Sequence, residues 1–358
     1  MPRIVIVFLI IIGVALAGTL VTFIVLRNQP ATPTPVKETS VVKDAHLFFS
    51  DDGGAAWKGV AGLGQGVPRV LAFKSGGSGQ LYIGTERGGL FIVRAGSDSA
   101  EHVRDPKGVL ADDARITALA QNASGTQLFI GATQNNRARV IRLTEETAQE
   151  IFTAALDRFD VIGLAVDQGD AAHITIAVAD GTIFETRDGG KSRSWEPISR
   201  IGTGIARFWD DGEPDGIVWA LDSKGSLFQS DSRGRLWKEL PRVAFDGVKV
   251  SKIYQLLFHP MRRALFAATN YGLGESRDEG FSWVSIRMPI PAGAVPITTI
   301  VTHPHFAEVF WTTSGNQIYR TDDSGITWRQ TALPEKKDII ILALDPNQPK
   351  HLYAGTAQ

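Results

Sequence analysis

Seven times along this chain two β-type apolar runs follow one another, and the interval between successive pairs barely changes. The first runs are VLAF (70–73), ITALA (116–120), VIGLAV (161–166), IARFW (205–209), IYQLLF (253–258), ITTIVT (297–302) and IIILAL (339–344), with starts 46, 45, 44, 48, 44 and 42 residues apart. The second runs end in small or polar residues: QLYIGTE (80–86), QLFIGAT (127–133), ITIAVAD (174–180), IVWALDS (217–223), ALFAATN (264–270), VFWTTSG (309–315) and HLYAGTA (351–357). Short β-branched and aromatic runs closed by turn formers read as strands. A four-stranded unit recurring at this period is a propeller blade, which buries its faces only against its neighbours.

The two ends of the body complete the count. The last repeat stops at HLYAGTAQ, lacking outer strands, and the body opens with HLFFSDDGGAAWKGV (46–60), an outer hairpin lacking inner strands. The expected fold is all-β, a seven-bladed β-propeller over residues 45–358. Its closing blade is split, two strands from each end, which ties the ring and leaves few free edges.

A second repeat has the form Ser/Thr-x-Asp-x-Gly-x-x-Trp. It is clear in SDDGGAAW (Ser50, Asp52, Gly54, Trp57), SRDEGFSW (Ser276, Asp278, Gly280, Trp283) and TDDSGITW (Thr321, Asp323, Gly325, Trp328). It is degenerate in TRDGGKSRSW (Thr186, Asp188, Gly190, Trp195), which has two extra residues, and in SDSRGRLW (Ser230, Gly234, Trp237), where Ser232 replaces the Asp. A carboxylate accepting amide hydrogens of its own turn, and a glycine free to take positive φ, suit a tight hairpin. The Trp returns as an apolar plug. On these motifs the body resembles the Asp-box, or bacterial neuraminidase repeat, propellers, including sortilin-type ectodomains, photosystem II stability/assembly-factor-like proteins and sialidases. The resemblance implies that the box is structural and lies between the third and fourth strands of a blade.

The amino terminus is of another kind. Ile4 to Leu26 holds no charge, is bracketed by Arg3 and Arg27, and as a helix would span about 34 Å, enough for a hydrocarbon core of about 30 Å. Ala15-Leu16-Ala17 resembles a signal-peptide cleavage site, but the apolar run continues to Val25. Residues 1–27 are therefore read as an uncleaved single-pass anchor in the cell membrane, its membrane contact at 4–26, with the N-terminus cytoplasmic and the propeller extracytoplasmic. The segment QPATPTP opens a stalk at 28–44. The chain has 37 Lys+Arg against 38 Asp+Glu, net −1, and no basic run, so nucleic acid is not an expected partner. It has no cysteine, which removes disulfides, thiolate metal sites and a cysteine nucleophile.

No catalytic, metal or cofactor residues are nominated. A glycoside hydrolase is the competing reading, since Asp boxes occur in such enzymes, but no Arg-Ile-Pro occurs here, and Tyr82, Tyr319 and Tyr353 fall in strand repeats where packing is the expected role. His259-Pro260 and His303-Pro304-His305 stand where Asp345-Pro346 stands in the last repeat and read as turn punctuation. The turns after each second strand differ from blade to blade and share the channel-mouth face. Glu86, Arg87, Gln134, Asn135, Asn136, Arg137, Asp180, Asp222, Lys224, Asn270, Tyr271 and Asn316 are the candidate ligand face, offered to an unidentified protein or glycan. The expected function is a non-catalytic binding or assembly scaffold.

Overall fold

The second strand of a blade reads as a continuous apolar run because both its faces are covered: every residue of Ala264–Thr269, Phe310–Ser314 and Leu352–Thr356 is buried. The outermost strands are short and wet, as in Lys238–Glu239 and Glu196–Arg200, so they lack an apolar pattern. The computed structural model describes residues 44–358 except 76–78, 95–96, 155–158, 192–193 and 215. The expected anchor, and the expected stalk up to residue 43, lie outside the described residues.

Within those residues the chain forms seven four-stranded antiparallel sheets and one extra two-stranded hairpin. The first strands of blades 1 to 7 are Pro68–Phe73, Arg115–Gln121, Val161–Val166, Ile205–Asp210, Ile253–His259, Thr299–Thr302 and Ile339–Leu344. Each abuts the first strands of the blades beside it, and that of blade 7 abuts that of blade 1. This is an all-β seven-bladed propeller. Its closing blade is ordered Ile339–Leu344, Leu352–Thr356, Leu47–Ser50, Lys58–Gly59, with Leu47 opposite Gly355 and Ser50 opposite Leu352. The expected 2+2 closure is the closure observed.

Seven apolar clusters hold the ring, one at each blade boundary. Between blades 6 and 7, Phe48, Trp311, Ile339 and Leu352 pack together; between blades 7 and 1, Leu47, Leu81, Ile83 and Tyr353 do. Each large side chain removed from water at these boundaries contributes about 1.5–3 kcal/mol.

Near the axis the blades approach so closely that some positions admit only glycine. A Cβ at Gly163 of blade 3 would fall 2.4 Å from Phe208 Cδ1 and 2.5 Å from its Cβ in blade 4, so the contact cannot be relieved by a rotamer change alone. Gly163→Val is expected to lower stability by about 1–3 kcal/mol through overpacking, read as a shifted midpoint in urea; an unchanged midpoint would show that the two blades can part there.

The first strands share a local irregularity. In six of them the pairing register slips by one residue near the start, leaving Arg69, Thr117, Ile162, Ala206, Tyr254 and Ile340 without a cross-strand partner. All six line the central channel. A repeated β-bulge therefore turns one extra side chain into the mouth in six of the seven blades.

Candidate functional site

The box motifs occupy the turns between third and fourth strands, for example between Leu273–Ser276 and Val284–Ile286. In the first box Ser50 Oγ donates to Asp52 Oδ1 at 2.8 Å and accepts the Gly54 amide at 2.9 Å, while Asp52 Oδ1 accepts the amides of Ala55 and Ala56. The same bonds recur at Ser276 and Asp278, and at Thr321 and Asp323. Burial works to raise the Asp52 carboxyl, and the Ala56 amide, Ser50 hydroxyl and Ala55 amide outweigh it, holding the group below the ordinary carboxylate range. The degenerate boxes keep the frame: Thr186 Oγ1 donates to Asp188 at 2.8 Å, and Ser232 Oγ accepts the Leu236 amide at 2.9 Å where an Asp would.

The tryptophans are more exposed than plugs. Only Trp283 among the five is fully buried; Trp57, Trp195, Trp237 and Trp328 are half-buried. Each indole N–H reaches an acceptor at the blade rim, the Gly54, Gly280 and Gly325 carbonyls in the clear boxes, and Ile151 O or Ser199 Oγ in the degenerate ones.

The opposite face carries the turns after the second strands, and there the candidate residues divide. Arg87, Asn135, Asn136, Arg137 and Lys224 are exposed, with Asn135 and Asn136 at φ 53° and 60° in a two-residue turn. Others use their polar atoms to hold the scaffold. Gln134 is buried and bonds the Ala111 amide and Val109 carbonyl. Asp180 caps Thr182. Asp222 is buried and accepts from Lys224 N, Ser226 N and Thr203 Oγ1. Asn270 Oδ1 accepts the Ser251 and Lys252 amides, and Asn316 Nδ2 donates to Glu335 O. Tyr271 packs its ring 5.6 Å from that of Phe245.

Glu86 alone of these residues enters the channel wall, a cavity of about 650 Å³. It pairs with Arg69 and lies 3.5 Å from Arg115, which also pairs with Asp160. Burial opposes the Arg115 charge, but Asp160 and then Glu86 outweigh it and hold the guanidinium above its ordinary value. This ladder joins blades 1, 2 and 3 across the mouth. On the far side Arg207 has no carboxylate partner among the described residues, and burial together with Arg69 pulls it below its ordinary value. Sequence reading missed Arg69, Arg115 and Arg207, because bulges and strand starts decide which side chains reach the channel.

A second polar cluster lies buried on the box face between blades 3 and 4. His173 Nε2 is 2.8 Å from Glu185 Oε1, Glu185 also pairs with Arg187 and Arg235, and Arg233 faces Asp167 and Asp210. The residues ending the first strands behave differently from one another. Asp345 Oδ1 accepts the Asn347 and Gln348 amides, and His303 Nδ1 accepts the His305 amide, both as turn caps. His259 is buried against Phe266 with neither nitrogen bonded, and burial lowers its pKa. Tyr353 is a packing residue whose hydroxyl is pushed up to about 12 by burial.

No family profile matches the chain, and no curated protein matches it. Its fold is shared with solved structures. YCF48 bound to a D1 peptide gives a TM-score of 0.63 at 15% identity, over 82% of this chain and 93% of that one. YCF48 from Cyanidioschyzon merolae gives 0.59 at 14% identity, over 82% and 96%. The GH74 xyloglucanase from Xanthomonas campestris gives 0.64 at 17% identity, over 84% of this chain and 52% of that one, so the chain spans about half of that enzyme. At such identities the likeness is one of fold.

Proposed function

We propose that the chain is a non-catalytic binding module of the Asp-box type, anchored through residues 4–26 and presenting its channel-mouth face outside the cytoplasm to an extended polypeptide. The observation that carries this reading is the composition of the mouth. Among the described residues lining the channel, Glu86 is the one carboxylate, and two arginines hold it. Glycoside hydrolysis by the usual route needs two carboxyl groups flanking the scissile bond, about 5–5.5 Å apart for retention or about 6.5–9.5 Å for inversion. A channel wall whose one carboxylate is held by two arginines, with Asp160 at the rim held by Arg115 in turn, suits recognition better than acid–base work. A similarly folded chain, YCF48, holds a D1 peptide, which supports a polypeptide as the class of ligand. Exposed variable turns on a rigid ring give such a ligand its specificity.

The test is photo-cross-linking of the full chain in intact cells, with the reactive residue at Arg87 or Asn136 on the mouth face and at Ile326 on the opposite face. A protein adduct from the first two sites but not the third is expected, and its yield should fall when Arg137 is changed to Glu. Equal capture from both faces would overturn the reading. So would release of reducing sugar from xyloglucan that is lost in Glu86→Gln.

A further inference from the structure

The ring departs from its repeat at one place. The connector from blade 4 to blade 5 carries a hairpin of its own, Ala244–Phe245 paired with Val248–Lys249, the one sheet among the described residues that belongs to no blade. It coincides with the longest repeat interval, 48 residues. Connectors between blades emerge where second strands end, so this hairpin stands on the channel-mouth face. It is fastened down: Phe245 is buried in the apolar cluster between blades 4 and 5.

The hairpin separates two pockets of similar size and opposite character. On one side a cavity of about 360 Å³ is lined by Arg207, Lys224, Arg242 and Lys252, with Asp222 its only carboxylate. Lys224, Arg242 and Lys252 are exposed to solvent, Lys252 lying over the Tyr254 ring, Arg207 is shared with the channel wall, and none of the four has a carboxylate within ion-pair distance among the described residues. Asp222 is already bonded to three donors of its own blade. Four cations around one pocket whose carboxylate is already engaged make a positive patch in a chain of net charge −1, and a bound anion would neutralise it. On the other side a cavity of about 350 Å³ is lined chiefly by Phe245, Tyr271, Met288, Ile290 and Val295, with Asp246 and Arg287 its two charged residues and Val295 43% exposed at its rim. Both volumes lie at the low end of the range of ligand pockets, about 300–1,000 Å³.

We propose that the hairpin divides a two-part peptide site, in which the basic pocket takes the carboxylates of an acidic segment and the apolar pocket takes a large aliphatic or aromatic side chain of the same segment. The inference rests on the binding-module reading and adds to it the chemistry of the partner. An extended chain advances about 3.3 Å per residue and two paired strands lie about 4.8 Å apart, so acidic and apolar residues about three or four positions apart reach both sides. Charge on one flank and a pocket on the other also fix the direction in which the segment lies.

The test is fluorescence anisotropy with the full chain in mild detergent and three labelled dodecapeptides. One carries Asp and Glu followed by Leu and Phe; the second has Asn and Gln for the acids; the third has Ala for the apolar pair. The first is expected to bind about tenfold more tightly than either other at low salt, and to weaken as salt rises. Arg242→Glu with Lys252→Glu should cost about tenfold and flatten the salt dependence, whereas Val295→Asp should weaken binding and leave that dependence in place. These side chains are exposed, and unchanged thermal unfolding confirms that each variant is folded. Amidating the peptide terminus distinguishes side-chain carboxylates, which are unaffected, from a terminal one, which is lost; either carries the proposal. Equal binding of all three peptides, or variants that bind like the parent, overturns it. If the peptides fail while the Arg87 adduct still forms, this inference falls and the binding-module reading stands.

Discussion

Deleting Leu352–Gln358 is expected to abolish cooperative unfolding of the propeller. Leu352–Thr356 is the second strand of the closing blade and pairs on one side with Ile339–Leu344 and on the other with Leu47–Ser50. Without it the amino-terminal hairpin has no sheet to join. Two blade boundaries then open at once, since Leu352 and Ala354 belong to the cluster with Trp311 and Phe48, and Tyr353 to the cluster with Leu81 and Ile83. The Tyr353 ring also packs, tilted, 4.8 Å from that of Phe49 and 5.8 Å from that of Phe73. Each buried side chain lost costs about 2–5 kcal/mol once the cavity is included, and a domain has about 5–15 kcal/mol in total. The ring would also expose unpaired strand edges that invite association. Circular dichroism and calorimetry of the truncated chain should show a broad, low-temperature transition with aggregation. A single sharp transition close to that of the full chain would mean that six blades suffice and that closure adds little.

Arg233→Met is expected to cost about 3–5 kcal/mol near pH 8, the usual consequence of removing one partner from a buried ionic cluster. Arg233 is 4% exposed, held at φ 51° in the degenerate box, with Nε 3.9 Å from Asp167 Oδ2 and Nη2 3.5 Å from Asp210 Oδ2. None of its nitrogens makes a well-directed hydrogen bond, so its contribution is Coulombic. The opposite end of the cluster keeps its own cations, because Glu185 retains His173, Arg187 and Arg235.

The loss should depend on pH with a definite sign. Burial pushes the Asp210 carboxyl from 3.8 up to about 6, while the Gly212 amide and Arg233 restrain it. A carboxyl whose folded pKa is raised contributes stability that is fully present below its unfolded value and lost as pH rises through the folded value. Removing Arg233 raises Asp210 further, so the variant's deficit grows as pH climbs through about 6. His173 adds in the same direction: burial lowers it against the pull of Glu185, with Arg187 and Arg233 lowering it further, so losing Arg233 lets it protonate more readily in acid. Urea titrations near pH 5 and near pH 8 should give a smaller loss at the lower pH, and Arg233→Lys should recover part of it. A loss independent of pH would show that Arg233 acts by packing alone.

How much of this was legible beforehand follows from which residues repeat. Runs such as ALFAATN and HLYAGTA announced second strands because burial on both faces forces a continuous apolar run, and HLFFSDDGGAAW announced closure because a hairpin without inner strands must borrow them. The outermost strands carried no such mark. Edges in water, such as Lys238–Glu239, select no apolar pattern. The candidate ligand face was legible only as a set of turns. Polar residues there read alike whether they bond solvent, as Lys224 can, or the scaffold, as Gln134, Asp222 and Asn270 do.

What the sequence by itself determined was the period, the strand pairs, the box turns and the number of blades, because each is a local pattern repeated under the same packing demand. What only the tertiary structure decided was which side chains meet. One-residue bulges choose the channel lining, the 244–249 hairpin raises a divider on the mouth, and the meeting of blades 3 and 4 places Arg233 beside Asp167 and Asp210. These encounters join residues tens of positions apart through backbone geometry, and nothing in a single linear pattern encodes the distance between them.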